Sequence, residues 1–97
     1  MPSTEETIDI ENSGNTVSLK LQGADTLTLI IEGDGAADYE FDARIRQGEW
    51  RENIGSSYSG SSDYDDVRDS GADEIRVRCS SGTASAGDQA AITLMGN

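Results

Sequence analysis

The stretch Tyr39-Glu40-Phe41-Asp42-Ala43-Arg44-Ile45-Arg46 decides the fold class of this 97-residue chain. Apolar and charged residues alternate along it without interruption, and a period of two is typical of a β-strand with one buried and one solvated face. The charged residues, Asp42 among them, are therefore expected to face water. The residues expected to face a core are Tyr39, Phe41, Ala43 and Ile45.

The same alternation recurs before and after this stretch. A short strand is also predicted from Trp50 to Ile54, and a possible first strand from Thr7 to Glu11. No segment shows a helical period, so the chain is predicted to be all-β. The remaining apolar rows are Val17, Leu19 and Leu21; Leu27, Leu29 and Ile31; Ile75, Val77 and Cys79; and Ala90, Ile92 and Leu94.

Glycines and polar runs are expected to separate the strands. Gly33-Asp34-Gly35 is predicted to break the chain, and Gly55 to Asp73 is predicted to form a long exposed loop. About seven strands of this spacing indicate a single antiparallel β-sandwich or jelly roll over residues 1–97. Residues 1–6 are expected to form a flexible N-terminal arm.

The charge composition indicates the environment in which the protein works. Nineteen acidic residues stand against one lysine and six arginines, which gives a net charge of -12. Carboxylates repel one another across a screening length of about 10 Å at 0.1 M salt but only about 3 Å at 1 M. The composition therefore predicts adaptation to concentrated salt, and an ordinary acidic domain is the alternative.

The first prediction concerns salt. Because self-repulsion destabilises a compact, highly charged chain, the thermal midpoint should rise substantially when NaCl or KCl is raised from about 0.1 M to about 2 M. Differential scanning calorimetry at the two concentrations measures this. A midpoint that does not change with salt would remove the main support for a saline habitat.

The residue types present argue against catalysis. The chain has no histidine, which is the usual base for a Ser or Cys nucleophile and the commonest metal ligand. We therefore expect no enzyme activity, no catalytic residue and no cofactor site. Nucleic acid is disfavoured as a partner because the arginines are spread among carboxylates, and no apolar run approaches the roughly 20 residues that span a membrane.

One acidic cluster could in principle bind a cation. Asp63, Asp65 and Asp66 could supply oxygen ligands for Ca²⁺ or Mg²⁺. Their spacing lacks the glycine and the terminal glutamate of an EF-hand loop, so a solvated acidic loop is the favoured interpretation. No metal site is predicted.

The candidates for a protein interface are aromatic residues and arginines. Aromatic residues in or beside a polar loop are enriched in recognition surfaces. For Trp50, however, the favoured interpretation is that it caps one end of the core, and for the tyrosines the alternative is that they pack the long loop down. Arginines two apart on a strand share a face, so Arg76 and Arg78 should pair with cross-strand carboxylates or with acids of a neighbouring subunit. The five candidates are Trp50, Tyr58, Tyr64, Arg76 and Arg78.

The C-terminal third carries a resemblance to a known group of proteins. Glu74-Ile75-Arg76-Val77-Arg78, running through Ser80-Ser81-Gly82-Thr83-Ala84 to Ala91-Ile92-Thr93-Leu94, resembles the closing hairpin of small β-sandwich structural proteins of tailed viruses and proviruses of halophilic archaea. The resemblance implies a non-enzymatic virion component, such as a capsid decoration, turret or tail-associated protein.

Such a component would work by assembly with identical subunits and other virion proteins. It would be located in the virion after assembly in the cytoplasm of a halophilic host. The alternative function is a carbohydrate- or calcium-binding β-module that mediates attachment to a cell surface. That alternative requires Gly55 to Asp73 to form a concave site.

Overall fold

Six antiparallel β-strands form the part of the chain that a computed structural model describes. This part comprises residues 2–24, 26–54, 57–68 and 72–96, without the side chains of residues 66–68. No α-helix occurs within it, and hence no helix able to cross a membrane. The strands are β1 (Ser3–Asp9), β2 (Thr16–Lys20), β3 (Thr26–Arg44), β4 (Tyr58–Arg68), β5 (Glu74–Ser81) and β6 (Gln89–Gly96).

The long strand β3 organises the sheet. Its first half pairs with β6, its second half pairs with β5, and β4 pairs with both halves. The halves meet at a bend, where the register with β4 shifts between Glu32 and Ala37 and where Gly35 has a φ of 61°. Glycine adopts this left-handed conformation without steric cost. The break predicted at Gly33–Gly35 was therefore wrong, because the segment is a bend within one strand.

The bend folds the sheet into a nearly closed, barrel-like shape. The strand order is β1-β6-β3-β5-β2, and the two terminal strands, β1 and β2, lie in contact. The all-β antiparallel prediction is confirmed. The predicted sandwich or jelly roll of about seven strands is not supported, since the described residues form one bent sheet of six strands.

The interior contains the apolar rows that the alternation predicted. Sixteen residues were predicted to face the core, and all of them except Ile45 are buried. Three further residues, Ile10, Ala37 and Tyr58, are buried with them. Ile45 is 55% exposed, because β3 ends at Arg44 and the Gly48 amide donates a hydrogen bond to the Ile45 carbonyl to form a turn. The phase of each predicted row is therefore right, and the end of one row was placed too late.

Three predicted segments differ in the structure. Residues 3–6, expected to be a flexible arm, lie in β1 and pair with β6. The predicted strand from Trp50 to Ile54 is reduced to one bridge between Arg51 and Ala43. Most of the predicted loop from Gly55 to Asp73 is strand β4, and Gly55, Ser56 and residues 69–71 lie outside the described residues.

The composition of β4 explains why its strand pattern was missed. Asp63 pairs with Ile31 and Asp65 pairs with Leu29, so both aspartates occupy positions on the core-facing side. Within the described chain β4 pairs with β3 alone. Inward-pointing charges on an edge strand discourage pairing with foreign strands, and they also remove the apolar stripe by which a strand is identified.

Candidate interaction site on the outer face of the sheet

The outer face of β3 and β5 carries six charged residues in register. Cross-strand neighbours share a face, and each neighbouring pair here joins an acid to an arginine. We call these six residues the charged ladder. Its pairs are Glu40 with Arg78, Asp42 with Arg76, and Arg44 with Glu74.

Asp42 is the centre of the charged ladder. Its side chain is fully buried, with 0% exposed. Its carboxylate accepts hydrogen bonds from Arg76 Nε at 2.7 Å, from Arg78 Nε at 3.0 Å and from the backbone N–H of Asn53 at 3.0 Å. The prediction that Asp42 faces water was therefore wrong, because the arginines and residue 53 cover the outer face at this point.

The protonation of this cluster is set by the competition between burial and hydrogen bonding. Burial alone would raise the pKa of Asp42, but the hydrogen bonds from Arg78, Arg76 and Asn53 hold that pKa below its ordinary value of 3.8. The bond to Asp42 raises the pKa of Arg78. The Asp42 carboxylate and the Arg78 guanidinium are therefore both charged across the physiological range.

The outer ion pairs extend the ladder to the protein surface. Arg78 Nη2 lies 2.6 Å from Glu40 Oε2, and Arg44 Nη2 lies 2.7 Å from Glu74 Oε1. Glu52, which is 59% exposed, lies 3.4 Å from Arg76 and 3.6 Å from Arg78. The predicted pairing of Arg76 and Arg78 with cross-strand carboxylates is confirmed.

Trp50 packs on the charged ladder. The guanidinium carbons of Arg44 and Arg76 lie 4.5 and 4.4 Å from the centroid of its ring, within the range of cation–π attraction. The chain turns after β3 and runs back over the outer face of that strand, which places the indole on the ladder. Two backbone hydrogen bonds between Ala43 and Arg51 hold the returning segment in place. Trp50 thus lies on the outer face and does not cap the core.

A surface pocket opens beside Trp50. Its volume is about 510 Å³, and its lining is Ile45, Gly48, Glu49, Trp50 and Arg51. Arg46 and Arg51 are exposed, and neither guanidinium forms an ion pair with any residue that the structure describes. We call this region the Trp50 pocket.

The two tyrosine candidates have different environments. Tyr58 is buried at 3% exposure, and its hydroxyl donates a hydrogen bond to Asp65 Oδ2 at 2.9 Å. Burial and the neighbouring Asp65 carboxylate raise the pKa of Tyr58. Tyr64 is 62% exposed. Of the two, only Tyr64 is placed to contact another molecule.

The acidic cluster is spread along β4. Asp65 is engaged by Tyr58, and the Asp63 carboxylate accepts a hydrogen bond from the Tyr64 amide at 2.8 Å. The side chain of Asp66 lies outside the described residues. Within the described part of the chain, no three His, Cys, Asp or Glu residues converge as a metal site would require.

Acid should weaken the charged ladder. A carboxyl group whose pKa is lower in the folded than in the unfolded protein stabilises the fold at any pH above its unfolded-state pKa. That stabilisation is lost as the pH falls through the folded-state pKa. The difference in unfolding free energy between the wild type and Asp42→Asn should therefore be greatest above about pH 4 and shrink below it. Urea unfolding across pH, at constant salt, measures it. A constant difference at all pH values would contradict the lowered pKa.

Comparisons with known proteins show what fold the chain shares. No protein-family model matches it, and no curated protein sequence matches it. The crystal structure of the SPBc2 prophage-derived protein YomS is similar, with a TM-score of 0.62, 17% sequence identity, and coverage of 95% of this chain and 92% of YomS. The likeness shows a common fold over nearly the whole of both chains.

A second structure is similar over a small part of a larger protein. It is a putative α-L-fucosidase from Bacteroides thetaiotaomicron, with a TM-score of 0.41 and 17% identity over 89% of this chain. This chain spans 21% of the length of that enzyme. So weak a likeness supports no inference about the chain.

Proposed function

We propose that this chain is a non-enzymatic structural protein of a virus particle that works by oligomeric assembly with identical subunits. The observation that carries the proposal is the fold shared with a prophage-derived protein over nearly the whole of both chains. A small fold of this kind, matched end to end, is consistent with a subunit that acts as a unit in a larger particle. A place on the capsid or tail is part of the proposal.

The surface of the chain supports assembly by protein contacts. Three of the six arginines, Arg44, Arg76 and Arg78, are held by carboxylates of the same chain. These guanidinium groups are therefore not presented for phosphate contacts, which nucleic-acid binding requires. Exposed large side chains, by contrast, remain at Ile45 and Tyr64, and such residues suit a protein interface.

The charge supports assembly in a saline host. A net charge of -12 on 97 residues makes identical subunits repel one another. Screening at about 1 M salt shortens the range of that repulsion to about 3 Å. We therefore place the assembly reaction in a halophilic host, where copies of this chain can approach closely.

Calorimetry in about 2 M NaCl tests this function against attachment by a calcium-binding module. Because association stabilises the folded subunit by mass action, the thermal midpoint should rise with protein concentration and should not respond to EDTA or added Ca²⁺. The triple change Asp63→Asn, Asp65→Asn and Asp66→Asn is the matched variant, and its thermal midpoint should likewise not respond to EDTA or added Ca²⁺. A saturable Ca²⁺ response that the triple variant loses would favour the attachment module.

A further inference from the structure

Positive charge is concentrated in two segments of the chain, residues 40–54 and 73–78, which pair with each other through β3 and β5. Residues 40–54 and 73–78 contain five of the six arginines and six of the 19 acidic residues, so this region is almost neutral. The rest of the chain holds 13 acidic residues against Lys20 and Arg68. A second copy of so acidic a protein therefore meets the least repulsion at this region, to which the Trp50 pocket belongs.

The Trp50 pocket has the features of a receptor for an aromatic side chain. Its volume of about 510 Å³ falls within the range of roughly 300–1,000 Å³ of small-ligand pockets, which is ample for one ring. Ile45 gives it an exposed apolar wall, and Trp50 is held in place by Arg44 and Arg76. Such preorganisation lowers the entropic cost of binding.

The pocket also has a charge preference. Arg51 and Glu49 line it, and Arg46 follows the pocket residue Ile45 in the chain, so residues 45–51 carry two positive charges and one negative charge. The side chains of Arg46 and Arg51 are exposed, and neither forms an ion pair within the described residues. The pocket is therefore suited to an aromatic side chain that is presented on an acidic surface.

The same chain presents such a side chain elsewhere. Tyr64 is 62% exposed on β4. Four residues on adjacent strands form one row across the outer face of the sheet. In order across the sheet they are Tyr64, Ile30, Thr93 and Glu5. Glu32 is exposed on the neighbouring row of that face. Tyr64 therefore projects from an acidic sheet face on the other half of β3.

We propose that the Trp50 pocket of one copy receives Tyr64 of a second copy, with Arg46 and Arg51 facing the acidic surface around that tyrosine. This contact rests on the proposed function and specifies its interface. Because the pocket and Tyr64 are different surfaces, each subunit uses one to bind the preceding copy and the other to bind the next. Such head-to-tail contacts build a closed ring or a filament.

Sedimentation velocity in about 2 M NaCl tests the contact with matched variants. Ile45→Asp disables the pocket, Tyr64→Asp disables the tyrosine, and each variant alone should be monomeric. Ile54→Asp is the control, because Ile54 is 47% exposed and does not line the pocket. It should assemble as the wild type does. Circular dichroism establishes that each variant is folded, and Tyr64→Thr replaces Tyr64→Asp if the charge disrupts β4.

Mixing the two disabled variants is the decisive step. One intact pocket and one intact tyrosine remain between them, so the mixture should form a 1:1 heterodimer and no larger species. Since Trp50 is the single tryptophan, its fluorescence should shift when the heterodimer forms. A mixture that stays monomeric overturns the head-to-tail contact.

Two other outcomes separate this inference from the proposed function. If Ile45→Asp and Tyr64→Asp assemble as the wild type does, the contact proposed here is wrong while assembly itself is upheld. If the wild type is monomeric in molar salt at every concentration, both the contact and the proposed function are overturned.

Discussion

Replacing Asp42 with alanine should lower the free energy of unfolding by about 3 kcal/mol, since removing one partner of a buried ion pair leaves the other charge uncompensated. Two arginines and the Asn53 amide depend on this one carboxylate. Arg76 and Arg78 are 17% and 19% exposed, so partial solvation keeps the cost at the low end of the range for buried pairs. Urea unfolding at constant salt measures the change.

Glu52→Ala is the matched control for this prediction. Glu52 contacts the same two arginines, but it is 59% exposed and lies at 3.4 and 3.6 Å from them. Exposed ion pairs contribute about 0 to 1 kcal/mol, so the control should cost less than about 1 kcal/mol. Equal losses in the two variants would mean that Asp42 is solvated like Glu52 and that the ladder has no buried centre.

Replacing Phe41 with alanine should cost about 3–5 kcal/mol, the usual range for emptying a buried aromatic site. Phe41 is 1% exposed on the inner face of β3 and is the single phenylalanine of a chain with few large apolar residues. Little else can fill the cavity. The same urea titration measures this loss, and failure of the variant to fold would be the extreme form of the expected result.

Ile45→Ala is the control for Phe41. Both residues belong to the alternating row that defines the strand in the sequence, but Ile45 lies beyond the end of β3 and is 55% exposed. Surface substitutions of this kind change stability by about 0.5 kcal/mol or less. A loss as large as that of Phe41→Ala would show that β3 continues past Arg44 and that Ile45 is part of the core.

The neighbouring residues Phe41 and Asp42 show how far the sequence predicts the fold. Alternation predicts the direction of each side chain, and it placed Phe41 in the core correctly. It cannot predict that the opposite face is also covered, because the cover comes from Trp50 to Asn53, which return over that face after a turn. Asp42 is therefore buried on the side that the pattern assigned to water.

Strand β4 and the bend in β3 are two features of the fold that the sequence pattern did not predict. Residues 58–68 have no apolar stripe, because Asp63 and Asp65 occupy core-facing positions at an edge of the sheet. Gly33-Asp34-Gly35 was interpreted as a turn because glycine permits either a turn or a bend. Strand β4 pairs with β3 on both sides of this bend, from Thr26 to Glu32 and from Ala37 to Tyr39, and so keeps β3 one strand. Such long-range pairing leaves no local pattern in the sequence.

The candidate site was predicted in part. The spacing of Arg76 and Arg78 predicts that they share a face and pair with acids across the sheet. The identity of those acids, Glu40 and Asp42, requires the register between β3 and β5. Matching acid and arginine positions on two alternating strands are the signal that could have suggested this register. The sequence does not predict the Trp50 pocket, because its one local feature is an aromatic residue beside a turn.

Sedimentation equilibrium of the wild-type protein in about 2 M NaCl, over a wide range of protein concentration, determines whether the chain assembles. We expect a discrete or growing multiple of the 10.3 kDa chain mass, reached at lower protein concentration as salt is raised. A mass of one chain at every concentration and every salt level would contradict the proposal that this protein is an assembling structural subunit.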